Sequence, residues 1–232
     1  MWAILTGIQG NLQAYEAVLR DMASQPWEVE ELYILGDFIG PTPDSERLTQ
    51  RLRSPSADEL SPQICRGWWE EQCLILHSLG ATGEPTELIE RYGMDKVKQL
   101  WDSVSRETVE WLRRLDYGFV ELDCLLIHGS SVSVSEELTP ETSPWILLDR
   151  MQRMGVNNLF CGRSGKIFEY SLEDACLNSI VTTLDSSSAP QTLTVSGKRA
   201  IGVGSVGRIP GQADYTLYNP NTNQVKFRTI LY

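Results

Sequence analysis

Metal or acid–base chemistry needs carboxylates and imidazoles gathered at strand ends, and this sequence places few of them there. Its 2 histidines are His77 and His128. His128 closes the apolar run LLIHGS, and Asp37 closes another, ELYILGD. A carboxylate and an imidazole so placed suit metal ligation or proton transfer. Each also suits a plainer role, as a turn-forming Asp bonded to backbone amides or a hydrogen-bonded strand-end His, and that role is the first reading for both. His77 falls on a helical stretch outside every strand end and is read as ordinary. Arg66, Arg163 and Arg208 stand where a phosphate is commonly held, although a solvated strand-end charge explains Arg66 and Arg208 equally well. The adjacent Trp68 and Trp69 either offer a platform for a base or sugar ring or fill a hole, and filling is the first reading. The run Gly202–Gly207, GVGSVG, can turn amides toward an anion, or simply reverse the chain.

These residues need strands to deliver them. The stretch AILTGIQGNLQAYEAVL, residues 3–19, reads as a buried strand, a glycine turn bracketed by Gly7 and Gly10, and an amphipathic helix capped by Asn11. Such a turn is where α/β proteins place phosphate and metal chemistry. Here it carries Gly7, Ile8 and Gln9, none of them a carboxylate or an imidazole. Further strands are predicted over 30–36, 63–67, 118–123, 124–128 and 158–162, and the last third turns to β over 179–184, 191–196, 200–203, 215–218 and 224–231. Helices are predicted from Asp44 or Ser45, from Trp68 to Leu79, and from Pro144 to a C′ residue at Gly155. Residues 80–115 read as a helical insertion: one face of Leu88, Ile89 and Tyr92, another of Val97, Leu100, Trp101 and Val104, and a third helix capped by Ser105.

The 232 residues fit one domain, 1–232, with 41% hydrophobic content for a core. A net charge of −11 argues against nucleic acid and anionic membrane as partners. No apolar stretch is long enough to span a bilayer, and the N-terminus lacks a signal-peptide layout. The 5 cysteines (Cys65, Cys73, Cys124, Cys161 and Cys176) are scattered and odd in number, which reads as reduced, buried thiols in a cytoplasmic protein.

Six segments share one order. AILTGIQGN, LGDFIGPTPD, CRGWWEE, LLIHGS, FCGRSG and GVGSVG resemble the strand-end motifs of calcineurin-like metallophosphoesterases, nearest to the small bacterial phosphodiesterase and diadenosine-polyphosphatase-like branch. The resemblance implies an α/β (α+β) fold, a four-layer αββα sandwich of two packed mixed sheets flanked by helices. It also implies two divalent metals, manganese, iron or zinc, at the strand ends.

The metal-binding signature itself is degenerate. The family's Asp-x-His-Gly-Asn stands here as Gly7, Gln9, Gly10 and Asn11, so the Asp and His positions are lost. Gly-Asp-x-x-Gly survives in Gly36, Asp37 and Gly40. Gly-Asn-His-Asp/Glu has become Gly67, Trp68, Trp69 and Glu70, which replaces the ligand Asn and the proton-donor His. His-Gly survives as His128 and Gly129. Gly-His-x-His has become Gly162, Arg163, Ser164 and Gly165. Two cations about 3.5–4 Å apart need a bridging carboxylate and several further ligands, and only Asp37 and His128 remain, with Gln9 as a weak carbonyl donor. Gly and Trp cannot ligate, and Arg163 repels a cation. The expectation is a non-catalytic pseudo-enzyme without bound metal, its cleft lined by Asp37, Asn11, His128, Arg163 and Arg66, serving a nucleotide, a phosphate compound or a protein partner. A third reading of Asp37 has Arg163 turn into the vacated pocket and pair with it in place of metal. The alternatives are a phosphoesterase with a rebuilt or single-metal site on Asp37, His128 and Gln9, and a structural protein whose cleft Trp68 and Trp69 plug.

Overall fold

A strand buried on both faces must be apolar at every position, and β1, Trp2–Leu5 (WAIL), is buried throughout. It pairs in parallel with β2, Glu31–Leu35, which pairs in parallel with β3, Gln63–Cys65. The helix α1, Leu12–Ala23, connects β1 to β2, and α2, Asp44–Arg53, connects β2 to β3. The computed structural model describes residues 1–80, 84–172 and 197–232 in full, and between 173 and 196 only the course of four strands. After β3 come α3, Trp68–Leu76, then α4, Thr86–Trp101, and α5, Arg106–Leu112, which form the helical insertion. A hairpin of β4, Gly118–Glu121, and β5, Cys124–Ile127, follows, turning at Leu122 with φ 55°. Then come α6, Pro144–Gln152, β6, Asn158–Cys161, and β7, Ile167–Ser171. Strands β8 (Ala175–Ser179), β9 (Thr182–Thr183), β10 (Ser186–Ser187) and β11 (Gln191–Val195) precede β12, Arg199–Val203, β13, Gln212–Asn219, and β14, Gln224–Leu231.

One five-stranded sheet has the order β14-β13-β1-β2-β3, the other β4-β5-β6-β12-β7, and both mix parallel and antiparallel pairs. Trp2, Ile4, Tyr33, Leu35 and Cys65 of the first sheet pack on Cys124, Leu126, Phe160, Ile201 and Val203 of the second. The outer face of the first sheet is covered by α1 to α5, through Tyr15, Val18, Leu48, Trp68, Leu88, Leu100 and Leu112. That of the second is covered by α6, through Leu147, Leu148 and Met151. The result is the expected αββα sandwich with its insertion, and no described helix is long and apolar enough to cross a membrane.

Local chemistry explains the boundaries. Asn11 caps α1 by accepting from the Ala14 N–H at 3.0 Å, and Ser105 caps α5 by accepting from Thr108 at 3.2 Å. Neither Asp44 nor Ser45 caps α2; the flanking residue is Pro43, and the Ser45 hydroxyl instead accepts from the Gly40 N–H at 3.0 Å. The two helices expected over 85–104 are both present within α4, separated where Gly93 takes the non-helical φ 76° and ψ 170°. Strand β7 is a further difference: of its IFEYS only Phe168 is buried, and Ile167, Glu169 and Ser171 are exposed. The strands expected over 179–184 and 191–196, and Cys176, lie outside the fully described residues. The other four cysteines are free and buried.

Candidate functional site

The strand ends converge through backbone bonds before any side chain is considered. Gly7 N–H donates to Gly36 O at 3.2 Å, Gln9 N–H to Asp37 O at 3.0 Å, and Gly207 N–H to Gly7 O at 2.8 Å. Gly162 and Arg163 N–H groups both donate to His128 O, at 2.8 and 2.7 Å. Gln9 and Asp37 each hold φ at 52°, a left-handed setting unusual for side chains other than glycine.

Asp37 and His128 are brought together and are fully buried, His128 Nε2 lying 3.3 Å from Asp37 Oδ1. His128 Nδ1 is 2.7 Å from Leu35 O, and a carbonyl only accepts, so Nδ1 carries the proton. Burial depresses the imidazole pKa below its usual value, with the Asp37 charge pulling the other way. The neutral ring therefore points its Nε2 lone pair at the carboxylate, the posture of two ligands of one ion. Asp37 Oδ1 also accepts the Trp69 N–H at 2.8 Å.

Among the described residues the Arg or Lys cation within 4.0 Å of Asp37 is Arg208 rather than Arg163, with Arg208 Nη2 3.6 Å from Asp37 Oδ2. Arg163 turns instead toward the insertion. Its guanidinium lies 4.6 Å over the Trp68 ring, with Glu137 at 3.5 Å and Glu87 at 3.9 Å. The reason is spatial: Arg208 donates to the backbone carbonyls of Ser164 and Arg163, both at 2.8 Å, so it already occupies the place beside Asp37. Trp68 and Trp69 are buried, pack edge-on at 4.8 Å, and meet Tyr92 of α4 at 5.6 and 5.0 Å. They fill space.

The remaining candidates serve elsewhere. Asn11 spends its amide on the Tyr232 hydroxyl at 2.6 Å and its oxygen on the α1 cap. Gln9 lines a separate open hollow with Asn11, Arg47 and Gly207. Arg66 pairs with Glu71 at 3.0 Å and donates to the carbonyls of Arg113 and Leu115. His77 stacks on Trp101 at 4.1 Å. Arg66 and Glu71 line a cleft of ≈ 770 Å³ with Gln72, Ile75, Glu84, Glu87 and Tyr117. Glu87 joins this cleft to the Arg163 side of the centre.

Sequence reasoning passed over Glu70. Its buried carboxylate accepts the N–H groups of Asp37 at 2.7 Å, Gly67 at 2.8 Å and Ile39 at 3.0 Å. Burial, with the Asp37 charge beside it, pushes its pKa up to about 8 against the pull of those amides. The available signal was an acid three residues after Gly67 at a helix start.

The donor set does not fit a pair of divalent metals. Among the described residues no group of three or more His, Cys, Asp or Glu side chains is arranged to hold an ion. The two donors that do meet, Asp37 and His128, share their space with a guanidinium.

No protein-family model and no curated protein matches the chain. Solved structures do. A metallophosphoesterase from Sphaerobacter thermophilus is similar with a TM-score of 0.68 and 21% identity, over 100% of this chain and 88% of that one. A hypothetical protein from Pyrococcus horikoshii OT3 is similar with a TM-score of 0.72 and 20% identity, over 100% of this chain and 89% of that one. The fold is that of the metallophosphoesterases.

Proposed function

We propose that this chain, built on the metallophosphoesterase fold, hydrolyses no phosphoester and acts by binding. One observation carries the reading: the positions that resemble metal ligands hold Gly7, Trp68, Arg163 and Gly165, and the surviving Asp37 faces the Arg208 guanidinium at 3.6 Å. Two donors and a fixed positive charge oppose a binuclear centre. The protein purified without chelator and incubated with manganese is expected to hold far less than one ion per chain. It should turn over bis(p-nitrophenyl) phosphate no faster than buffer. Stoichiometric metal, with turnover lost in Asp37→Ala, overturns the reading. Gly7→Asp alone restores nothing, since one carboxylate does not replace the missing imidazoles.

A second reading is favoured by the ligand-like posture of His128 Nε2 and Asp37 Oδ1, 3.3 Å apart. It is a single-metal phosphoesterase, and the same manganese experiment decides it.

The cleft supports a binding role. Its lining sets Glu71, Glu84 and Glu87 against Arg66, so it suits an uncharged or cationic group better than a phosphate. If the ligand is a nucleotide, calorimetric titration should show adenosine binding more tightly than AMP. Tighter binding of AMP sinks this charge argument.

A further inference from the structure

We propose that Arg208 is the resident cation of this site, performing toward Asp37 the charge-balancing part a metal ion plays, and that Gly165 is glycine because the guanidinium needs its space. The inference rests on the metal-free reading above and adds to it the group that replaces the metal and the residue that admits it.

A buried carboxylate needs an opposite charge or a full set of donors. Asp37 Oδ1 has the Trp69 N–H, but Oδ2 has no hydrogen-bond partner, and the nearest charge to it is Arg208 Nη2 at 3.6 Å. That charge is held in place. Arg208 is clamped by the carbonyls of Arg163 and Ser164, both at 2.8 Å, in the loop after β6. A planar, permanently charged guanidinium with five donors satisfies two carbonyls and still faces a carboxylate, which an ammonium does less well.

Steric facts tie the arginine to one of the lost ligands. A Cβ on Gly165 would lie 2.3 Å from Arg208 Nη1, 2.8 Å from Cζ and 3.1 Å from Cδ. A Cβ on Gly7 would lie 2.6 Å from Ser205 Oγ and 3.6 Å from Arg208 Nε. A side chain at position 165 and this guanidinium exclude each other. Of the positions where the resemblance implies a metal-binding side chain, Gly165 is the one whose space the guanidinium takes, while the crowding at Gly7 comes from Ser205. Arg163, although cationic and standing at another lost position, takes no part in the exchange, because Trp68, Glu87 and Glu137 hold it on the far side.

A double-mutant cycle on the full chain tests this, read by Tm with and without manganese. Arg208→Met keeps bulk and removes charge, and should lower Tm by on the order of 5–10 °C, because it strands the Asp37 charge. Adding Asp37→Asn should recover most of that loss, so the two substitutions are strongly non-additive. Arg208→Lys should fall between wild type and Arg208→Met. Manganese should raise the Tm of Arg208→Met and leave wild type unchanged. If Arg208→Met alone does not fold, the Asp37→Asn/Arg208→Met double variant still should. Its failure to fold while Asp37→Asn folds overturns the proposal, as do additive losses or an unchanged Arg208→Met Tm. Stoichiometric manganese binding by wild type overturns the metal-free reading instead, whatever the cycle shows.

Discussion

Glu70→Ala is expected to leave little folded protein at 37 °C, or to lower Tm by on the order of 10 °C. The carboxylate accepts the N–H groups of Asp37, Ile39 and Gly67, and nothing else in the turn replaces it. Each stranded buried donor costs about 1–3 kcal/mol, so three cost about 3–9 kcal/mol, a large part of a typical folding free energy. Glu70→Gln keeps an oxygen that accepts and should lose roughly half as much. Thermal melts measure both, and amide exchange at Asp37 and Ile39 localises the effect. An alanine variant within about 2 °C of wild type refutes the argument. The pH dependence follows from the same carboxyl. Folding holds its pKa at about 8, above the unfolded 4.5, so the folded chain binds the extra proton between those values. The contribution is complete below 4.5 and lost as pH rises through 8, so stability should fall with rising pH across that window. Glu70→Gln should flatten that slope.

Much of the scaffold was legible because local chemistry dictates it. WAIL and CLLI announce buried strands, Asn11 and Ser105 announce helix starts, and Gly155 at φ 68° ends α6. Strand β7 was not legible, because only Phe168 of its five residues is buried and no apolar run marks it. At the site, the meeting of Asp37 and His128 at strand ends was legible, and the cation beside Asp37 was not. An arginine in the fifth motif invited pairing with Asp37, yet the partner is Arg208, 45 residues downstream of Arg163. Which of two cations reaches a carboxylate depends on the room that Gly165 leaves, and chain order does not contain that distance. Glu70 shows the converse: its spacing from Gly67 was visible, but its amide partners lie on two loops, Asp37 and Ile39 after β2 and Gly67 after β3, brought together by the β2–β3 pairing.

The motif residues that survive are those whose backbone the fold needs, and Gly36→Ala tests that. A Cβ on Gly36 would sit 2.3 Å from both Cα and N of Gly67, and 2.9 Å from Arg66 C, all of it backbone. Gly36 also holds φ at 63°. The left-handed setting costs alanine about 1–2 kcal/mol, and forcing backbone apart adds about 1–3 kcal/mol or more. The expected loss is therefore about 2–5 kcal/mol, or on the order of 10 °C in Tm. Gly155→Ala is the control. It shares the positive φ, 68°, but its Cβ meets nothing within 4 Å, so it should lose only the conformational part, about 1–2 kcal/mol. Equal losses for the two variants mean that contact between Gly36 and Gly67 contributes nothing. A larger loss at Gly36 means that the backbone contact with Gly67, beyond the left-handed setting, requires glycine there.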